Sequence, residues 1–201
     1  MKELLARKLV EHAVAKDEVR EVLSVAYYNQ ELGEIVAADG FRMAVVKVEP
    51  CDKPFPNYRI LVPDSRHILS TIEVDIKDLF NIASLFMNTK CTSIRLILED
   101  KYIKCCSGSK TQIEKNIIYS EAYLPFTNIV GKKKDTKVAI NPKYLLDTAK
   151  ALRNIKGLSK CKISICSPSE PILIKAGDYT EVVMPMYVKW GDDGAVGTLG
   201  D

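Results

Sequence analysis

The sequence predicts an α+β fold in which one unit, a helix followed by three strands, occurs three times and contributes its strands to shared antiparallel sheets. Three helical patterns support this prediction, because apolar residues recur at helical spacing in segments that begin near residues 2, 75 and 142. Each segment is followed by short runs rich in Val, Ile and Tyr, which favour strands. The residues do not repeat, so the repetition is one of architecture.

The first unit is predicted at residues 1–50. Its helix covers 2–16, where apolar residues recur at intervals of four and form a stripe on one side. Asp39-Gly40 stands between two apolar runs, and because glycine readily adopts a positive φ, this pair predicts a tight turn. The three strands of this unit are predicted at 22–28, 34–38 and 41–48.

The second and third units follow the same plan. A helix is predicted at 75–88, with Asp75 as its cap. The third helix has the clearest limits, because Asn141 is a cap residue, Pro142 occupies the first helical position and Gly157 lies just beyond the end. The strands are predicted at 93–98, 102–106 and 112–119 in the second unit and at 162–166, 171–175 and 180–188 in the third.

Segments rich in proline, glycine and lysine separate these elements. Residues 51–63 contain three prolines and are predicted to be a linker. Residues 120–136 are predicted to be an exposed loop, whose lysines at 132–134 either contact phosphate or are simply solvated. The predicted division is a half-domain at 1–50, the linker at 51–63, a domain at 64–190 and a flexible tail at 191–201.

The composition is that of a globular protein, with 47% hydrophobic and 27% charged residues. No run approaches the about 18 apolar residues of a membrane span, and the charged N-terminus argues against a secretory signal, so we expect a cytoplasmic protein. The six cysteines and two histidines lack metal-ligand spacing, so we expect reduced thiols, no metal and no cofactor. A net charge of +3 is too small to indicate nucleic-acid binding by itself.

The sequence offers no set of residues suited to catalysis. It contains no nucleophile elbow, phosphate loop, dinucleotide fingerprint or zinc-protease motif. His12 lies among charged residues and is expected to face solvent, and His67 has no evident partner. Cys105-Cys106 lies within a predicted strand, so one side chain is expected inside and the other outside. We therefore expect a protein that is not an enzyme.

Four short segments give the strongest functional signal. They are Val36-Ala-Ala-Asp-Gly-Phe-Arg-Met-Ala44, Phe55-Pro-Asn-Tyr-Arg-Ile-Leu-Val-Pro63, Ala139-Ile-Asn-Pro-Lys-Tyr-Leu-Leu-Asp147 and Thr180-Glu-Val-Val-Met-Pro-Met-Tyr-Val188. In this order they resemble the segments ATDGHRLA, FPDYRRVLP, FNxxYLLDxL and YVVMPMRL of the bacterial sliding clamp, the β subunit of DNA polymerase III. Because all four occur in the family's order, the chain is identified as a shortened member of this family, and the resemblance implies the DNA-clamp fold.

The resemblance also implies which parts of a clamp the chain keeps. A clamp chain has three domains, each made of two helix-plus-strands units. Residues 1–50 resemble the first half of the middle domain, and residues 64–190 resemble the C-terminal domain. The first domain and the second half of the middle domain are expected to be missing.

In the family, a hydrophobic pocket between the middle and last domains binds short peptides of polymerases, the clamp loader and repair proteins. Three residues differ from the family pattern, because Phe41 replaces a histidine and Ile60 and Tyr187 replace arginines, which makes the pocket more apolar. Methionine and aromatic side chains suit an adaptable peptide-binding surface. Carried over by residue, the pocket would comprise Ala38, Gly40, Phe41, Arg42, Met43, Pro56, Ile60, Leu61, Val182, Met184, Pro185, Met186 and Tyr187.

The resemblance further implies a processivity factor whose helices line a ring around double-stranded DNA and contact it without reading sequence. Family rings contain twelve units, so three-unit chains would need four copies, and a homo-oligomer is expected if a ring forms. The alternatives are an adaptor or decoy that binds clamp partners without encircling DNA, and, less favoured, an enzyme acting on nucleic acid. The predicted DNA-facing residues are Lys2, Lys8, Lys143, Lys150 and Arg153.

Overall fold

The computed structural model describes residues 3–29, 32–49, 70–89, 91–107, 120–131, 136–190 and 196–197. The helices are α1 (Glu3–Val10), α2 (Ile76–Asn88) and α3 (Pro142–Arg153), with 3₁₀ segments at Glu11–Ala13 and Glu18–Leu23. The strands are β1 (Tyr27–Asn29), β2 (Glu34–Ala38), β3 (Arg42–Lys47), β4 (Ser70–Asp75), β5 (Ile94–Leu98), β6 (Tyr102–Ser107), β7 (Ser120–Gly131), β8 (Lys137–Ile140), β9 (Lys160–Ile165), β10 (Ile172–Ala176), β11 (Tyr179–Val183), β12 (Lys189–Trp190) and β13 (Val196–Gly197).

Eleven strands form one antiparallel sheet in the order β1-β2-β3-β11-β10-β9-β4-β7-β6-β5-β8. The remaining two, β12 and β13, pair with each other. The three helices share one buried cluster with the side chains on one face of this sheet. The α+β fold of helices on antiparallel strands is therefore confirmed.

The second and third units are related in design, and they interlock. Each consists of a strand, a helix and three further strands: β4-α2-β5-β6-β7 and β8-α3-β9-β10-β11. The strand before each helix pairs with the strand after the other helix, because β4 pairs with β9 and β8 pairs with β5. Helices α2 and α3 pack against each other, and the Arg153 guanidinium stacks 4.1 Å from the Phe80 ring centroid.

The first unit joins this pair at one end only. Strand β3 pairs antiparallel with β11, and β1 and β2 extend the sheet beyond it. Helix α1 packs on β2 and β3 and touches α3. The predicted division into domains stays a prediction, but the sheet runs without interruption from β3 into β11.

The caps predicted for the second and third helices are confirmed. The side chain of Asp75 accepts a hydrogen bond from the Lys77 N–H at 2.8 Å, and that of Asn141 accepts one from Lys143 at 2.9 Å. These bonds satisfy backbone donors that have no partner within a helix. Gly157 follows α3 with φ +82°, a conformation that glycine adopts without a side-chain penalty.

Several predicted elements differ from the structure. Helix α1 ends at Val10 rather than residue 16, because the chain tightens into 3₁₀ turns there. The predicted strand at 22–28 is reduced to β1 by the second 3₁₀ segment. The prediction of an exposed loop from residue 120 is wrong, because 120–131 is the longest described strand.

Strand β7 was missed because it changes partner along its length. Residues 120–125 pair with β6, and residues 126–131 pair with β4. Pro125 lies at the end of the β6 pairing, where a missing N–H is tolerated. Strands β4 and β8 were also not predicted. The predicted strand at 112–119 and linker at 51–63 lie outside the described residues.

The core follows strand alternation and helical spacing, with one exception to the predictions. Cys105 and Cys106 are both buried, so the prediction that one of them lies outside is wrong. Burial also raises the pKa of the Cys161 thiol to about 12. Among the described residues, no helix is long and apolar enough to cross a membrane, and no group of His, Cys, Asp or Glu could hold a metal ion.

Candidate functional site

The predicted pocket residues meet where β3 pairs with β11. In this register Met43 faces Val182 and Arg42 faces Val183. The pairing continues one residue further, because the Met184 N–H donates to the Phe41 carbonyl at 2.8 Å. Two segments more than 130 residues apart in the chain are thereby fixed side by side.

Part of the predicted pocket is a buried apolar cluster on the face of the sheet opposite the helices. Ala38, Met43 and Val182 pack together there because Met43 lies directly opposite Ala38 on one neighbouring strand and opposite Val182 on the other. These side chains were predicted as pocket walls, and they form a packed apolar base for the exposed residues at its edge. The cluster is completed by residues that were not predicted, Val36, Val45 and Leu173.

A second group of predicted residues is exposed at the edge of this base. Phe41 is 54% exposed, Met184 is 42% exposed and Tyr187 is 81% exposed. Pro185 and Met186 are half-buried, and the Met186 N–H donates to the Ala139 carbonyl at 2.7 Å. The segment after β11 is therefore pinned at two backbone positions while its large apolar side chains face outward.

Arg42 has a different role from the one predicted, because its side chain is only 3% exposed. Its guanidinium forms ion pairs with Asp39 and Asp147, both at 3.0 Å, and donates to the backbone carbonyl of His12. It also lies 4.6 Å from the Tyr144 ring centroid. Arg42 thus holds the turn after β2, α3 and the end of α1 together rather than offering an apolar wall.

These contacts change the pKa of the Asp147 carboxyl group. Burial acts to raise the pKa of Asp147, but hydrogen bonds from Lys143 and Arg42 outweigh it and lower the pKa below its usual value. Lys143 lies 3.1 Å from the same carboxylate. The carboxylate is therefore charged and paired at neutral pH.

A cleft of about 410 Å³ lies beside Phe41 and Arg42, between the first unit and the beginning of α3. Lys143, predicted to face DNA, also lines it. Asn141 and Tyr144 could have been found, because both stand in a segment that resembles the clamp. Nothing local in the sequence singles out the other unpredicted lining residues, among them His12, Lys16, Asp17 and Arg20.

Arg20 shapes one wall of the cleft. Its guanidinium pairs with Asp17, donates to the Asp39 carbonyl and lies 5.4 Å from the Phe41 ring centroid. The hydrogen bond from Arg20 lowers the pKa of Asp17. Gly40 has φ +90°, and a Cβ there would lie 2.5 Å from the Arg20 guanidinium. Glycine is thus favoured by the positive φ of the turn, and a larger residue there would also displace the Arg20 guanidinium.

Beneath the cleft, a buried carboxylate links the first unit to the last. Glu181 is fully buried and accepts hydrogen bonds from Thr148 at 2.7 Å, from the Tyr179 hydroxyl and from His12 at 3.1 Å. Burial and the neighbouring carboxylate hold the pKa of Tyr179 well above its usual range. The expectation that His12 faces solvent is wrong, because its ring turns inward to this carboxylate.

The four predicted DNA-facing residues that the structure describes lie on the helices, which all cover the same face of the sheet. Lys8, Lys143, Lys150 and Arg153 are exposed. Two of them are partly engaged within the chain, since Lys143 pairs with Asp147 and Arg153 stacks on Phe80. The predicted residues that lie outside the described part of the chain are Lys2, Pro56, Ile60 and Leu61.

Residues 59–187 match the family model of the DNA polymerase III beta subunit, C-terminal domain. Solved structures share the fold. The sliding clamp of Pseudomonas aeruginosa aligns with a TM-score of 0.72 and 17% identity over 92% of this chain and 64% of its own. The beta subunit of Streptococcus pyogenes aligns with a TM-score of 0.69 and 15% identity over the same shares.

A third structure is the sliding clamp of Bartonella birtlesii bound to griselimycin, with a TM-score of 0.68 and 16% identity over 92% of this chain and 64% of its own. The chain therefore spans less than two thirds of the length of these structures. No curated protein sequence matches the chain significantly. At these identities the structures establish the fold, and the match over 59–187 establishes the family.

Proposed function

Because the chain belongs to the family of the DNA polymerase III beta subunit, the bacterial sliding clamp, we propose that it is a non-catalytic scaffold of DNA replication that binds short peptide motifs of polymerases and other clamp partners. The ligand would lie over Phe41 and Met184 and extend into the adjoining cleft. A cytoplasmic location and the absence of a cofactor belong to the same proposal.

The observation that carries this proposal is the pair of exposed apolar side chains on a rigid base. Phe41 and Met184 are fixed to each other by a backbone hydrogen bond, and the buried cluster around Met43 supports them. A surface that is already ordered loses little conformational entropy on binding. Covering each half-exposed side chain would contribute about 1 kcal/mol, within the range for burial of large apolar groups.

The cleft adds polar selectivity to this apolar surface. Its lining carries four cationic side chains, of Lys16, Arg20, Arg42 and Lys143, and two acidic ones, of Asp17 and Asp39. Asp147 pairs with Arg42 and Lys143 beside the cleft, so one net positive charge remains, and it favours a ligand that presents a carboxylate beside its apolar anchors. We therefore expect peptides that combine large apolar residues with an acidic residue or a free C-terminus.

A titration with a fluorescent peptide that carries the clamp-binding motif of a bacterial replicative polymerase tests the proposal. We expect Phe41→Ala and Met184→Ala each to weaken binding about fivefold to thirtyfold, which corresponds to about 1–2 kcal/mol. Tyr123→Ala is the matched control, because Tyr123 is a similarly exposed aromatic residue on β7. Absence of binding, or equal losses in all three variants, would refute the proposal.

A second candidate is an adaptor that binds clamp partners without encircling DNA. The engaged Lys143 and Arg153 favour it, because side chains already paired within the chain offer less to phosphate. Retention on closed circular DNA, with release after linearisation, would support a sliding clamp. Peptide binding without such retention would support the adaptor. If α3 contacts DNA, Lys150→Glu should reduce retention on circular DNA and leave peptide binding unchanged.

A further inference from the structure

His12 connects the surface of the cleft with the interior beneath it. It lies in the 3₁₀ segment Glu11–Ala13, directly after α1, and it lines the cleft together with Phe41. Its side chain is 16% exposed, whereas the side chain of its partner Glu181 is fully buried. One part of the imidazole ring is therefore enclosed, and another part can be reached from the cleft.

The two nitrogens of the His12 ring have different surroundings. Nε2 lies 3.2 Å from Oε1 and 3.1 Å from Oε2 of Glu181, and the Tyr179 hydroxyl lies 3.4 Å from the same nitrogen. An ionised carboxylate only accepts hydrogen bonds, so Nε2 carries a hydrogen and donates it. Nδ1 makes no hydrogen bond to any residue that the structure describes. Nδ1 is therefore the nitrogen at which the ring gains or loses a proton.

This proton decides the charge beneath the cleft. His12 and Glu181 share hydrogen bonds, so they titrate as a coupled pair. With the additional proton the pair has no net charge, and without it the pair has one negative charge. That negative charge cancels the one net positive charge that remains around the cleft. The protonation of the pair therefore decides whether an entering carboxylate meets a positive site or a neutral one.

Several other titratable groups around the ring keep their charge near neutral pH. The hydrogen bond from Arg20 lowers the pKa of Asp17, and the pKa of Asp147 is lowered because hydrogen bonds outweigh the effect of burial. Burial raises the pKa values of Tyr144 and Tyr179, so both phenols stay neutral. The remaining charged residues on the surrounding elements are Glu11, Lys16, Arg20, Asp39, Arg42 and Lys143. Histidine is the side-chain type that ordinarily changes its charge between pH 5 and 8, so we assign a pH response in this range to His12.

We propose, on the basis of the peptide-binding function proposed above, that His12 recognises a carboxylate of the ligand through a proton that Nδ1 takes up on binding. In the doubly protonated ring, one N–H donates to Glu181 and the other N–H lacks an acceptor, which the ligand carboxylate supplies. Hydrogen bonds between an imidazolium and a carboxylate are stronger than neutral ones. The proton comes from water, so the complex holds more protons than the free chain and the free peptide together.

The sign of the pH dependence follows from this proton uptake. Because the complex binds the additional proton, affinity increases as the pH falls and decreases as the pH rises. Arginine and lysine attract a carboxylate at every pH near neutrality. Arg42 and Lys143, moreover, already share the Asp147 carboxylate, at 3.0 and 3.1 Å. Among the lining residues that the structure describes, His12 is thus the one that makes this attraction depend on pH.

The test is isothermal titration calorimetry with a clamp-motif peptide that carries one acidic residue and a free C-terminus. Titrations at pH 7 in phosphate and in Tris, which differ in ionisation enthalpy, count the protons that binding takes up. We expect a net uptake, and we expect the dissociation constant to fall about threefold to tenfold between pH 8 and pH 6. The same peptide with every carboxylate replaced by a carboxamide should bind without proton uptake.

His12→Gln is the decisive variant, because a glutamine amide can still donate to Glu181 but takes up no proton. It should bind the peptide at every pH with about the affinity that the wild-type chain has at pH 8. Binding of the peptide also shows that this variant folds. His67→Gln is the matched control, because His67 is the only other histidine of the sequence, and it should keep the wild-type pH profile.

The outcomes separate this inference from the proposed function. Peptide binding by the wild-type chain without proton uptake would overturn the inference and leave the peptide-binding function intact. Proton uptake that persists in His12→Gln, or that disappears in His67→Gln, would also overturn it. Absence of peptide binding at every pH would refute the proposed function, and the inference with it.

Discussion

Glu181 offers the sharpest test of how the first unit is held to the last. The change is Glu181→Ala, which removes a fully buried carboxylate of β11 that accepts hydrogen bonds from two units. Loss of an acceptor in the interior costs more than loss of an exposed one, because water cannot replace it. The variant should therefore destabilise the whole chain rather than one loop.

The magnitude follows from the fate of each donor. The Tyr179 hydroxyl is fully buried and would keep only the long contact to His12 Nε2 at 3.4 Å, at a cost of about 1–3 kcal/mol. Thr148 would lose little, because its hydroxyl has the Tyr144 carbonyl at 2.8 Å as a second acceptor. His12 is partly exposed, so its lost bond is worth about 0.5–1 kcal/mol. One buried methylene adds about 0.8 kcal/mol, and the free energy of unfolding should fall by about 3 kcal/mol.

Equilibrium unfolding in urea measures this loss as a shift of the midpoint at constant slope. Glu181→Gln keeps the volume and one acceptor oxygen, so it should cost about 1 kcal/mol. Glu73→Ala is the surface control, because Glu73 pairs with Lys160 at 3.1 Å in a partly solvated position and should cost under about 1 kcal/mol. A loss below about 1 kcal/mol for Glu181→Ala would refute the hydrogen-bonded link.

Two further predictions concern the residues around the cleft. Folding lowers the pKa of Asp147, so its pairing with Arg42 stabilises the fold above the unfolded pKa of about 3.9. This stability is lost as the pH falls through the lower folded pKa. Asp147→Asn should therefore reduce the loss of stability on the acid side, measured by urea unfolding between neutral and acidic pH. An unchanged acid limb would contradict the pairing. Gly40→Ala and Gly157→Ala should each cost about 1–2 kcal/mol, because both residues have a positive φ. Gly40→Ala should in addition weaken peptide binding, because its Cβ displaces the Arg20 guanidinium, whereas Gly157→Ala has nothing within 4 Å and should leave binding unchanged. Equal peptide affinities of the two variants would contradict a role of the Arg20 position in the site.

Local sequence signals predicted the second and third helices well. Asp75 and Asn141 are caps, and the apolar spacing after them fixes the buried sides of α2 and α3. The β2–β3 hairpin was also predicted, because Asp39-Gly40 permits only a turn between two strand-forming runs. These signals act within a few residues, so a single sequence carries them.

Elements that depend on distant partners were not predicted. Strand β7 contains Pro125 and lacks clear alternation, and it becomes a strand only because β6 and β4 offer successive partners. The end of β11 was placed too late for a related reason. After Val183 the chain leaves the ladder, and the hydrogen bonds of Met184 and Met186 to Phe41 and Ala139 take over.

The candidate site shows the same division. The sequence by itself determined which segments belong together, through four motifs in the order of one family, and which residue types make the surface apolar. The tertiary structure decided that Phe41 and Met184 are exposed while Arg42 is buried, and that Arg20 and Tyr144 line the cleft. It also decided that β1 is the terminal strand of the sheet among the described residues. The physical reason is that motifs and periodicity are local properties of the chain, whereas exposure and pairing depend on which strands meet, and β3 meets β11 across more than 130 residues.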